Sequence, residues 1–135
     1  MKPIKRSQLI TVVIPQNTGV GAQVKFPDIP ELRDAVVDGI EVYSVDQLSI
    51  TPNGERVVTT AGLAAATVNF LQESDRRGQD FPAYALLSAG YGGIWKEFTG
   101  WRLNWQKCYV QVVSSTPFED EQVAIPFNIF YHYER

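Results

Sequence analysis

The sequence predicts an all-β fold: an antiparallel β-sandwich, with a jelly-roll order of strands preferred over an immunoglobulin-like one. Three observations carry this expectation. Val 15, Ile 9 and Thr 8 stand beside Phe 7, Tyr 6 and Trp 3, while Leu numbers only 8. Branched and aromatic side chains fit a pleated, half-buried surface and lose rotamer freedom in helices. The 8 Pro and 10 Gly are dispersed as punctuation and form no low-complexity block. Between them lie about eight strand-like runs, the spacing of a sandwich or barrel.

Length and composition agree with one such unit. The 135 residues fit a single domain, 1–135, with residues 1–7 as a short basic arm. About two-thirds of the unfolded surface is expected to be buried, enough for a core without staples. Hydrophobic content of 44% with 20% charge excludes a disordered chain, and a net charge of −3 excludes a globally basic nucleic-acid binder. The apolar run after Arg6 stops at Pro15, too short for a membrane span and without a small-residue cleavage site. Cys108 stands alone, so no intrachain disulfide forms, and a reducing cytoplasm suits the chain.

Taken in order, Leu9–Ile14 is apolar on both alternating faces, as a strand covered on both sides would be. Pro15 ends it, and Gln23–Phe26 forms a short second strand closed by Pro27. Phe26–Arg33 reads as an ordered loop, because two prolines fix φ and remove ladder donors. Gly39–Val45 alternates cleanly as a strand. Leu48–Ile50, Asn53-Gly54 and Val57–Thr59 read as a hairpin, since Asn and Gly tolerate positive φ.

Ala61–Ala66 is helix-friendly but too short to stand alone, and Thr67–Leu71 continues as a strand. Gln72–Asp80 is charged and centred on Gly78, so an exposed loop is expected there. Ala83–Leu87 reads as a strand and Gly90–Gly93 as a turn. Trp101–Trp105 and Lys107–Val113 are two further strands, followed by a polar loop over Ser114–Glu121. From Val123 to Tyr133 the odd-numbered residues are apolar or aromatic, a long last strand in which Pro126 implies an edge, a bulge or a ladder end.

No catalytic, metal-ligating or cofactor-binding signature stands in these runs. With one His and one Cys, zinc sites of the usual spacing are excluded, and no EF-hand loop occurs. A histidine-based triad could use only His132, which reads as a polar residue on the outer face of the last strand. Gly90–Gly93 lacks the Lys-Ser/Thr of a phosphate loop. Cys108 in its strand-like run reads as a buried, inert thiol.

Two groups are candidates for binding. Tyr91, Trp95, Trp101 and Trp105 bring much aromatic area to one region, as a stacking platform for sugars or bases, as sandwich core, or as a subunit interface. Lys2, Lys5 and Arg6 form an electrostatic arm suited to nucleic acid or an acidic neighbour, or a solvated tail.

The basic arm, the two-faced first strand, the Pro-bounded loops and the aromatic last strand together resemble single jelly-roll virion proteins. The nearest kind is the small penton or minor capsid protein of tailless icosahedral bacteriophages. Trp101–Val113 followed by Val123–Tyr133 carries most of the likeness. The resemblance implies about eight strands in two facing sheets, assembly into fivefold or sixfold rings, and no catalytic residues. The expected function is therefore a non-enzymatic capsid building block, made in the host cytoplasm and located in the virion. It would act through contacts with its own copies and other virion proteins. The alternative is a carbohydrate- or cell-surface-binding sandwich module.

Overall fold

A computed structural model of the protein describes residues 6–44, 56–71, 78–87, 102–119 and 122–133. Among them the fold is all-β, in two antiparallel sheets. One sheet has the order β1 (Arg6–Ile14), β7 (Val123–His132), β3 (Val36–Val42). The other has the order β2 (Gln23–Lys25), β6 (Tyr109–Val112), β4 (Ala66–Leu71), β5 (Gly78–Pro82). A single helical turn, α1 (Thr60–Leu63), and short 3-10 turns connect them.

Period-two alternation builds the core. Ile10, Val12 and Ile14 of β1, Val37, Ile40 and Val42 of β3, and Ile125, Phe127 and Ile129 of β7 all point inward. Ala66, Val68 and Phe70 of β4 and Val110 and Val112 of β6 join them in one continuous cluster. Two sheets sharing one apolar layer are the arrangement of a β-sandwich. Phe26 bridges the layers, with its ring centroid 4.9 Å from Phe127 and 5.9 Å from Phe70. Burying each such side chain contributes roughly 1.5–3 kcal/mol.

Several elements differ from the sequence reading, each for a local reason. The first strand starts at Arg6, because Arg6 and Ser7 pair with Tyr131 and Phe130. The basic arm therefore loses Arg6 and Ser7 to the sheet, while Lys2 and Lys5 lie outside the described residues. The third strand starts at Val36, three residues before the expected Gly39; a register shift between Val37 and Gly39 gives Asp38-Gly39 the look of a turn. Gly78–Asp80, expected in an exposed loop, belongs to β5, and residues 72–77 lie outside the described residues.

Ala83–Leu86, expected as a strand, is a 3-10 turn directly after Pro82. The expected Trp101–Trp105 strand does not form either: among its described residues Leu103 makes only an isolated bridge, and Trp105–Lys107 is a 3-10 turn. The expected Lys107–Val113 strand is β6, Tyr109–Val112. Of the expected hairpin, Leu48–Ile50 and Asn53-Gly54 lie outside the described residues. Val57 forms an isolated parallel bridge with Ala124.

Pro126 sits in a central strand, not an edge. Its carbonyl accepts the Tyr43 N–H (3.0 Å) just beyond the last β3–β7 pair, Val42–Phe127. The missing donor thus falls at a ladder end, one of the three placements its presence in a strand implied.

Candidate functional site

The described member of the aromatic group, Trp105, forms one wall of a cleft beside the edge of the second sheet. β2 ends at Lys25, and Phe26 turns inward while its N–H donates to the Cys108 carbonyl at 3.4 Å. Pro27 then stops the ladder. Arg33 reaches back to Asp28 at 2.6 Å and closes the loop, and that contact raises the Arg33 pKa. Within the loop, Pro30–Leu32 makes one 3-10 turn that buries Leu32. The loop is thus ordered, as its two prolines imply.

Opposite it, the Asn104 N–H is held by the Leu71 carbonyl at 2.9 Å, which presents the Trp105–Lys107 turn to Phe26. The Trp105 ring meets Phe26 edge-on at 5.5 Å and Phe70 at 6.5 Å. A cleft of about 320 Å³ remains, lined by Lys25, Phe26, Pro27, Asp28, Trp105 and Gln106. Trp105 itself is 7% exposed and belongs to the core. The Trp105 ring is packed as core, one of the three roles open to the aromatic group. Its indole Nε1 is buried and has no hydrogen-bond partner among the described residues. Tyr91, Trp95 and Trp101 lie outside the described residues.

A second cluster gathers where β1 and β7 end. The Arg6 guanidinium lies 5.3 Å from the centroid of the Tyr133 ring, and Tyr131 packs on that ring edge-on at 5.7 Å. The Tyr133 hydroxyl donates to the Glu31 carbonyl and ties the Pro-rich loop to the last strand. Burial pushes the Tyr131 hydroxyl above its ordinary value, with the Tyr133 hydroxyl acting in the same direction. Arg6 is therefore both a ladder residue and an aromatic-stacked cation.

The outer face of the first sheet carries polar pairs. Asn128 stands opposite Glu41, and the Tyr43 hydroxyl donates to Glu41 Oε2 (3.1 Å) while accepting from Asn128 Nδ2 (3.3 Å). Burial raises the Tyr43 pKa. His132 Nδ1 lies 2.9 Å from Asp38 Oδ2, the carboxylate set beside the imidazole by the register shift in β3. His132 alternates with inward-facing Ile129 and Tyr131, so it occupies the outer face expected of it. The Asn128–Tyr43 and His132–Asp38 contacts were not legible beforehand, because each joins residues far apart in the chain. Among the described residues, no group of three or more His, Cys, Asp or Glu is placed to hold a metal ion. No described helix is long and apolar enough to cross a membrane.

Comparison of the chain with protein-family models, curated proteins and solved structures returns no match.

Proposed function

We propose that this chain is a non-enzymatic virion structural protein: a capsid, penton or minor capsid building block of a bacteriophage that acts through homo-oligomeric assembly. The observation that carries the reading is the nesting of its strand pairs. The first strand pairs with the last (β1–β7) and the second with the next to last (β2–β6), while β4 pairs with β5. These three pairings are the ones that a long antiparallel hairpin folded over on itself would make. The β3–β7 and β4–β6 ladders then set its arms side by side in two sheets.

Such nesting favours a jelly-roll order, since immunoglobulin-like sandwiches are dominated by neighbours closer in sequence. The ordered loop over Phe26–Arg33 adds modest support. It is held by the Asp28–Arg33 and Tyr133–Glu31 contacts, so little entropy is lost when it becomes interface.

The outcome expected is a homo-oligomer in solution whose mass also appears in purified particles. The N-terminal basic residues would there face nucleic acid or an acidic neighbour. A persistent monomer, missing from particles but retained on a glycan column, overturns the assembly role and selects the carbohydrate- or cell-surface-binding module instead.

A further inference from the structure

The second hydrogen-bonding edge of β1 points to a partner. Thr11 stands opposite Pro126, whose carbonyl is turned toward Tyr43 on the β3 side of β7. The N–H and C=O of one residue point to the same side of a strand, so Thr11 and Pro126 exchange no hydrogen bond. Ala124 repeats the pattern, bonding to Arg56 and Val58 on that same side while standing opposite Val13. By the period of two, the backbone groups of Ser7, Leu9, Thr11 and Val13 all face away from β7. Among the described residues β1 has no ladder neighbour on that side.

Edges left open in monomers are usually blunted by Lys, Pro, a bulge or brevity. β1 has none of these: its nine residues run RSQLITVVI, and its register with β7 is unbroken from Arg6 to Ile14. Leu9 on its outer face is 36% exposed.

We propose that β1 of one copy pairs antiparallel with β1 of a second copy about a twofold axis at Ile10, fusing two three-stranded sheets into one. This rests on the homo-oligomeric part of the proposed function and names the contact. Outward-facing residues must meet outward-facing residues. Leu9 opposite the partner's Thr11, with Ser7 opposite the partner's Val13, is the register that uses all four, giving roughly eight hydrogen bonds. It sets Arg6 opposite the partner's Ile14, so no like charges face each other. The chain carries a net charge of −3, yet β1 contains no acid, so two copies approach there with the least repulsion. An isologous contact of this kind closes on itself and requires no other chain.

The test measures the mass of the full chain across a concentration series. Thr11→Pro removes an outward donor and no β1–β7 bond, Leu9→Lys places a charge on the edge, and Thr11→Val leaves the edge intact. Dimerisation at least about tenfold weaker in the first two, and unchanged in the third, is expected. Native tryptophan fluorescence reports that each variant is folded. Register is tested by mixing Leu9→Cys chains with Thr11→Cys chains. Paired Cα atoms about 5.5 Å apart suit a disulfide, so the cross-link is expected in the mixture and not in either variant alone. Cys108, with 0% exposure, does not compete. Folded edge variants that associate as tightly as the parent overturn the β1 pairing and leave homo-oligomeric assembly standing. A parent that stays monomeric throughout, with no cross-link in the mixture, overturns both.

Discussion

Cys108 is fully buried, with its Sγ accepting the Leu71 N–H at 3.5 Å and donating to the Asn104 carbonyl at 3.3 Å. Burial pushes the thiol from 9.0 up to about 11, against the opposing pull of the Leu71 N–H. The folded state therefore holds the proton more tightly than the unfolded chain does. That contribution is complete below the unfolded value of 9.0 and is lost as the pH rises through about 11. Urea denaturation from about pH 8 to about pH 11 should show a loss of roughly 2–3 kcal/mol that Cys108→Ala lacks. Tyr43 and Tyr131, also raised, steepen the top of the curve in both proteins. A flat parent profile contradicts the account.

Trp105 gives a second residue-scale expectation. Trp105→Ala should destabilise by roughly 3–5 kcal/mol, because the indole fills space between Phe26 and Phe70. Trp105→Phe should lose markedly less, since the indole N–H makes no hydrogen bond to any described residue. Equal losses in urea midpoint for the two variants would mean that the N–H has a partner after all. From sequence the Trp group admitted core, platform and interface alike, because nothing along the chain says which strand faces which ring.

At the scale of elements, the amino-terminal segment divides at Arg6. Truncation of residues 1–5 leaves all nine β1–β7 pairs, so the thermal transition should correspond to a change under about 0.5 kcal/mol. Removing Arg6 as well takes away its stacking on Tyr133 and should cost about 0.5–1 kcal/mol more. If the lysines act by charge, the assembly yields of full-length and truncated chains differ at low salt and converge as salt rises. A gap that persists at high salt shows packing in place of attraction. The clean alternation of β4 and β7 made them legible, and so did the apolar run of β1. The outer face of β1, expected to be covered, nevertheless leaves Leu9 36% exposed, and Arg6 and Ser7 hid their pairing behind polar side chains. The start of β3 was masked by the Asp38 register shift, and β5 by a charged, Gly-led stretch. Ala83–Leu86 failed for the opposite reason: its composition suits a strand, but the chain turns there after Pro82.

At the scale of the molecule, apolar patterning and composition alone determined that the described residues are all-β, that they bury one apolar layer, and that Phe26–Arg33 is an ordered loop. These follow from side-chain shape, period-two alternation and the fixed φ of proline, all of which are local. Tertiary structure alone decided that the last strand lies between β1 and β3, so that Pro126 marks a ladder end inside a sheet. It also set Trp105 in the core, the His132 imidazole beside Asp38, and the side of β1 that has no ladder neighbour among the described residues. Each of these depends on pairing between residues far apart in the chain, Arg6 with Tyr131 at the extreme. Alternation says which face a residue occupies, but it carries no information about which distant strand completes the ladder.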